Sequence, residues 1–286
     1  MLNGFPMMHA YAKINLGLYV VAHRPDGYHD IETVFSRIGI ADDVTFAPAQ
    51  DIDVTCSSPE VPAGALNICH VAARRLQERC HIAAGVRIHI AKHIPVGAGL
   101  GGGSADAALV LRELPGFWGC APDYTERARI ALEIGSDVPF FLGNDAAVGR
   151  GRGEILEYFH LDIPYTILLC NPNIHVSTAW AYSRITPGTA GKPDDLRSLV
   201  TAGMQDPDLL RTHLRNDFEG VVFEAHSEVR DIKERMLQAG AVFALMSGSG
   251  STVYAFFADA VPARALAGEF HAAGYTTSLT PPHFHG

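Results

Sequence analysis

Apolar residues at Ala10, Ala12, Ile14, Leu16, Leu18 and Val20 alternate with Tyr11, Lys13, Asn15, Gly17 and Tyr19. That period of two predicts a strand over residues 10–21 with one apolar face. Lys13 and Asn15 stand on the opposite face in mid-strand, where a polar pair calls for solvent, a partner or a function. Residues 34–40 and 44–47 read as two short strands with Asp42-Asp43 in the turn between them, and residues 86–90 alternate in the same way. Ile68, Val71, Ala72 and Leu76 recur at helical spacing and predict a helix over 67–80. A second helix is expected over 123–134, stopped by Gly135. Ahead of Pro139, Ser136 or Asp137 is placed to cap a further helix. In the second half, strands are expected at 165–170, 241–246, 252–257 and 275–279, and helices at 177–185, 217–239 and 262–273. Residues 149–153, Gly-Arg-Gly-Arg-Gly, read as a flexible stretch suited to end a first domain, and residues 186–195 as a loop. The domains are placed at 1–157 and 158–286.

One stretch breaks the pattern. From Lys92 to Leu109 the chain reads Lys-His-Ile-Pro-Val-Gly-Ala-Gly-Leu-Gly-Gly-Gly-Ser-Ala-Asp-Ala-Ala-Leu, with five glycines in seven residues and an alanine-rich helix expected from Ala105. Glycine leaves no Cβ in the way and admits positive φ, so backbone N–H groups can converge on a ligand. At a helix start those amides are unpaired and sit at the positive end of the dipole, which suits phosphate. The stretch reads as a phosphate cradle. Gly97, Gly99 and Gly102 satisfy G-x-G-x-x-G, but no second strand with an acidic end follows about 20 residues on, so the dinucleotide reading fails. A Walker loop needs Gly-Lys-Ser/Thr, and the only Gly-Lys pair, Gly191-Lys192, precedes Pro193. The lysine strand and catalytic-loop signature of protein kinases are missing as well.

Composition narrows the class. The 286 residues, 48% hydrophobic and 19% charged, describe a soluble globular chain with room for one large or two ordinary domains. No apolar run approaches the roughly 18 residues of a membrane span. Residues 1–6 lack the basic-then-apolar pattern of a secretory signal. A net charge of −9 argues against a nucleic-acid partner, which calls for a basic face. Local amides, a lysine and a metal ion can still hold phosphate on an acidic protein. Cys56, Cys69, Cys80, Cys120 and Cys170 are scattered without C-x-x-C spacing and read as free thiols in a reducing cytoplasm.

Three separated motifs carry a resemblance. They are Ala12-Lys13-Ile14-Asn15-Leu16, the stretch from Pro95 to Ala108 with its Gly-Leu-Gly-Gly-Gly-Ser core, and Ser247-Gly248-Ser249-Gly250-Ser251 ahead of a strand. Together they resemble the GHMP superfamily of small-molecule kinases, and the likeness spans roughly residues 10–257. Arg24-Pro25-Asp26-Gly27-Tyr28-His29 and Gly135-Ser136-Asp137-Val138-Pro139-Phe140-Phe141 narrow it to members that phosphorylate a cytidine-diphosphate-linked polyol. The resemblance implies the α+β two-domain GHMP kinase fold, with an N-terminal ribosomal-protein-S5-like α/β domain and a C-terminal ferredoxin-like domain. It implies ATP and Mg²⁺ as cofactors, and a cytoplasmic reaction on the 2-hydroxyl of 4-diphosphocytidyl-2-C-methyl-D-erythritol in non-mevalonate isoprenoid precursor biosynthesis. No nucleic acid or membrane partner is expected.

Site residues follow from the same resemblance. ATP phosphates are expected along Pro95, Val96, Gly97, Ala98, Gly99, Leu100, Gly101, Gly102, Gly103, Ser104 and Ala105. Asp137 matches the catalytic base, and Lys13 the lysine that pairs with it and stabilises charge near the transferred phosphoryl group. Asn15 is expected close to the substrate. His29 matches the residue that hydrogen-bonds the cytosine edge, and Tyr28 and Tyr182 match the aromatics that sandwich its ring. Ser247, Gly248 and Ser249 are expected to close over the substrate–phosphate region. Members commonly carry two hydroxyl residues after the glycines; here Ser104 is followed by Ala105, which leaves Ser104 as the candidate Mg²⁺ ligand at that point. Asp106 reads as a helix-start residue complementing the dipole, with a metal role left open. A homoserine- or mevalonate-type kinase would give the Asp-Gly-Tyr-His turn no purpose. A nucleotide-sensing regulator would not require Lys13 together with Asp137.

Overall fold

The computed structural model describes residues 6–143, 146–188 and 191–286. The loop expected at 186–195 and the first domain expected at 1–157 each include a few residues outside those ranges. Two compact units account for the described chain, one of residues 6–12, 41–96 and 101–143, the other of 13–40, 97–100, 146–188 and 191–286. Neither is continuous, because the long strands β1 (Met8–His23) and β2 (His29–Ala49) each contribute to both.

β2 departs most from the expected pattern. It is one strand of 21 residues rather than two short ones, and Asp42-Asp43 lies inside it. Adjacent aspartates favour a turn, but tertiary partners override that preference. Asp42 is fully buried and accepts hydrogen bonds from the Lys92 ammonium and from the amides of His93 and Ile94.

The first unit continues with β3 (Ile52–Cys56), α1 (Ile68–Cys80), β4 (Gly85–Ala91), α2 (Gly102–Trp118) and α3 (Tyr124–Ile134). β4 runs antiparallel to the second half of β2, from Asp43 opposite Ala91 to Ala49 opposite Gly85, and parallel to β3. α1 packs on α2 and α3 with Cys69, Ala72, Ala73 and Leu76 buried; of the expected stripe Ala72 and Leu76 lie in this face, while Ile68 and Val71 at its edge are half-buried. α2 begins at Gly102, earlier than the expected start at Ala105, since Gly101 in the left-handed region serves as its N-cap. A short 3-10 helix, Pro139–Leu142, has its N-cap at Val138 rather than at Ser136 or Asp137.

In the second unit the first half of β2 pairs with β5 (Ala146–Arg150), and β5 forms a hairpin with β6 (Ile155–Phe159). The stretch 149–153, expected to be a flexible domain end, is therefore a strand end and a hairpin turn. β7 (Thr166–Asn171) is followed by α4 (Thr178–Tyr182), α5 (Leu196–Gly203), α6 (Pro207–His213), α7 (Glu219–Ala225) and α8 (Ser227–Gln238). The helix expected at 217–239 is thus two, parted at His226. β8 (Phe243–Met246), β9 (Val253–Phe257), α9 (Ala260–Ala272) and β10 (Thr276–Thr280) complete the chain. The last four strands form an antiparallel sheet ordered β10-β7-β9-β8. The order fourth, first, third, second, with helices after the first and third strands, is ferredoxin-like. Its core joins Leu168, Ala255 and Phe257 of the sheet to Ile232 and Met236 of α8 and Phe270 of α9. Among the described residues no helix is long and apolar enough to cross a membrane.

Candidate active site

Alternation along β1 places Lys13 and Asn15 on one face, and that face is buried: Lys13 is 4% exposed and Asn15 1%. Burying an ammonium is costly unless polar groups meet it. The Lys13 Nζ donates to Asn15 Oδ1 at 2.7 Å and stands 5.2 Å from the centre of the Phe35 ring. Asn15 is held in turn, its Nδ2 donating to Thr33 Oγ1 at 2.9 Å. The backbone amide of Lys13 donates to the Leu100 carbonyl at 3.0 Å. Ser247 Oγ accepts from the Asn15 amide at 3.3 Å and donates to the Gly99 carbonyl at 2.9 Å. Three motifs distant in sequence therefore meet in the second unit: the lysine strand, residues 97–100 of the glycine stretch, and the serine–glycine loop.

That loop is itself anchored. Asn216 Nδ2 donates to the carbonyls of Met246 and Gly248, each at 2.8 Å, and the Ser249 and Thr178 hydroxyls are 3.0 Å apart. Asn216 had no signal in the sequence, being one asparagine between helices with no motif around it. Gly99 shows why the cradle needs glycine. Its φ is +78°, and a Cβ there would run into the Ser247 carbonyl oxygen. Gly248 meets the same backbone from the other side. Gly99→Ala is expected to cost about 2–3 kcal/mol through strain and overpacking, lowering Tm by about 5 °C in calorimetry. An unchanged Tm would show that the two loops are not seated on each other.

Pro95, Val96 and residues 101–105 belong to the first unit. The Ala105 amide donates to the Gly101 carbonyl at 2.9 Å and closes the first turn of α2. Helix geometry leaves the amides of Gly102, Gly103 and Ser104 without intrahelical acceptors, a natural seat for phosphate. Against this turn lies a buried ion triad. Lys92 Nζ is 2.5 Å from Asp42 Oδ2 and 2.9 Å from Asp106 Oδ2. Burial raises the Asp106 carboxyl above the usual carboxylate range, and the Lys92 ammonium pulls it back down. Burial lowers the Lys92 pKa, but Asp106 and Asp42 outweigh it and leave the ammonium raised. Asp137 stands half-buried in the turn between α3 and the 3-10 helix, also in the first unit.

Among the described residues no group of three or more His, Cys, Asp or Glu is arranged to hold a metal ion. Mg²⁺ usually takes one or two protein ligands and fills its shell with phosphate and water. The half-buried Ser104 hydroxyl in the first turn of α2 fits that use.

The aromatic residues cluster in the second unit. The His29 ring stacks on Tyr182 at 4.8 Å and 22°, and His23 meets His29 edge-on at 4.9 Å. Phe218 supports the Tyr182 ring edge-on at 4.8 Å. Burial first, and His23 second, hold His29 below the usual histidine range. Its ring is then neutral near neutral pH, with one donor and one acceptor nitrogen to offer a nucleobase edge. Tyr28 is 55% exposed, with the Arg152 guanidinium 4.8 Å from its ring centre. Asp26 fixes the turn that presents it, accepting from the Tyr28 amide at 3.1 Å. Arg152 escaped the sequence reading because its Gly-Arg-Gly-Arg-Gly setting resembles a linker.

Comparison with known proteins agrees with this geometry. The model of the GHMP kinases N terminal domain matches residues 67–144, and that of the GHMP kinases C terminal domain matches residues 196–276. The chain is 42% identical over 280 residues to the 4-diphosphocytidyl-2-C-methyl-D-erythritol kinase of Chlorobium luteolum, covering 97% of each. It is 42% identical over 280 residues to the enzyme of the same name from Salinibacter ruber, covering 95% of this chain and 97% of that one. A crystal structure of a 4-(cytidine 5'-diphospho)-2C-methyl-D-erythritol kinase is similar with a TM-score of 0.82 at 33% identity, over 96% of this chain and 98% of that one. A homoserine kinase from Cytophaga hutchinsonii, with a TM-score of 0.70 at 19% identity over 98% of this chain and 97% of that one, shares the fold.

Proposed function

The chain belongs to the GHMP kinase family, and we propose that it transfers the γ-phosphoryl group of ATP to the 2-hydroxyl of 4-diphosphocytidyl-2-C-methyl-D-erythritol. The products are the 2-phosphate and ADP. The observation that carries this reading is the meeting of Lys13–Asn15, residues 97–100 and Ser247 in a unit that also holds the His29–Tyr182 stack. The family models lie on either side of residue 157, which supports a division into domains at 1–157 and 158–286. The reaction is assigned to the cytoplasm.

Phosphoryl transfer asks mainly for positioning and charge stabilisation. The amides from Gly97 to Ser104 hold the phosphates. The Ser104 hydroxyl would hold Mg²⁺, which would supply charge neutralisation at the phosphates. Lys13, aimed by Asn15, offsets the charge that moves as the acceptor oxygen bonds to the γ-phosphorus and the bond to the bridging oxygen of ADP breaks. Asp137 receives the hydroxyl proton. A carboxylate of pKa about 3.9 is too weak to deprotonate a free alcohol, so the proton leaves only as the O–P bond forms. Tyr182 and Tyr28 bracket the cytosine, and His29 reads its edge.

A coupled ADP-release assay tests the reading with the cytidine acceptor, homoserine and mevalonate. ADP is expected with the first alone. Release with either of the others instead would reassign the acceptor, and release with none would favour a nucleotide-sensing regulator. In the same assay, Tyr182→Ala is expected to raise the acceptor KM about tenfold, as loss of one stacking partner does, and to leave KM for ATP nearly unchanged. Equal shifts in both would rule out stacking.

A further inference from the structure

We propose that Asp106, acting through Lys92 and Asp42, is the positioning residue that sets the direction of the phosphate-facing amides at the start of α2. The proposal rests on the kinase reading above. Three elements of the first unit converge on one ammonium: Asp42 from β2, Lys92 from the segment after β4, and Asp106 from the second turn of α2. Asp42 has a second task. Its Oδ1 accepts from the amides of His93 and Ile94 at 2.6 and 2.8 Å, which clamps the approach to the glycine stretch onto β2.

Asp106 differs. Its Oδ2 meets Lys92, while its Oδ1 is buried without a hydrogen-bond partner. An unpaired buried oxygen weakens a fold, and a buried ion triad exchanged for apolar residues of equal volume is often neutral or stabilising. Stability therefore gives no reason for a carboxylate here. Direction does. A Cβ on Gly102 would stand 3.0 Å from Lys92 Nζ and 2.9 Å from Ile94 Cγ2, so the ammonium lies directly against the first turn of α2. The positive end of a helix repels a cation. The tie from Lys92 to Asp106, on the same helix, overcomes that repulsion and fixes the rotation of the turn about its axis. Without the tie, the amides of Gly102, Gly103 and Ser104 lose their aim at phosphate. His29 and Tyr182 belong to the other unit and keep their arrangement.

The test compares Asp106→Ala and Asp106→Asn in the full-length protein, with ADP binding by calorimetry and steady-state kinetics for both substrates. Alanine is expected to raise the ADP Kd and the KM for ATP about tenfold or more, while the acceptor KM stays within about twofold. Asparagine keeps an acceptor oxygen for Lys92 and is expected to restore the ADP Kd to within about threefold of wild type. Parallel rises in both KM values, an asparagine variant as weak as the alanine one, or an alanine variant with unchanged ADP affinity would each reduce Asp106 to a structural residue. Should the alanine variant not fold, Asp106→Leu, closer in volume, takes its place with the same outcomes. ADP binding needs no acceptor. A wild type that binds ADP but leaves the cytidine acceptor unphosphorylated would refute the acceptor assignment and leave the Asp106 test intact.

Discussion

Asp137→Asn is expected to lower kcat about 10²- to 10⁴-fold, the range over which a positioned general base acts, while leaving KM for ATP within about threefold. The substitution keeps the size of the side chain and removes the oxygen that receives the proton. The half-buried turn that carries Asp137 runs from Gly135 to Pro139 and is closed by the Val138 amide donating to the Gly135 carbonyl at 3.2 Å. Single-turnover measurements separate the outcomes. A slow chemical step with normal nucleotide binding assigns Asp137 to the proton. Wild-type turnover would remove it from the mechanism.

Lys13→Met is expected to lower kcat about 10²- to 10³-fold, the usual loss when one pre-aimed charge at a reacting centre is removed. Its effect on stability should run the other way. Lys13 is 4% exposed, and its ammonium donates to the neutral Asn15 Oδ1. A buried ammonium pays a desolvation penalty that methionine of similar length avoids, so Tm is expected to hold or rise. Activity lost together with Tm would mean that Lys13 serves the fold. Lys13→Arg is not expected to restore turnover, because the planar guanidinium does not reproduce a compact point charge in a fully packed strand face.

Much of this was legible in the chain. Strict alternation found β1 and put Lys13 beside Asn15, and glycine density ahead of an alanine-rich run found the cradle. The second-half strand spacing matched the ferredoxin-like sheet. What failed did so where tertiary partners reverse a local preference. Asp42-Asp43 looks like a turn until Lys92 and two amides claim Asp42. The β5–β6 hairpin hides behind Gly-Arg-Gly-Arg-Gly, and α5 and α6, of eight and seven residues, are too short to show a helical period. Asn15 and His29 stand in motifs and Tyr182 is implied by the family likeness; the structure adds how each is held. Arg152 and Asn216 carry no motif; each matters through a partner that only folding brings near. The role of Asp137 came from family likeness alone, since a carboxylate before Val-Pro reads equally well as a cap.

The hydroxyl of Ser247 bonds to the carbonyl of Gly99 and receives the amide of Asn15, a residue 232 positions away in the chain. During synthesis, then, the lysine strand and the glycine stretch emerge long before the segment that secures them. Long-range closures of this kind slow folding, because the chain loses its freedom before the contacts repay it. A nascent chain has nothing to seat on Gly99 until residue 247 leaves the ribosome. The seating of Gly99 is thus completed only once residue 247 has been made.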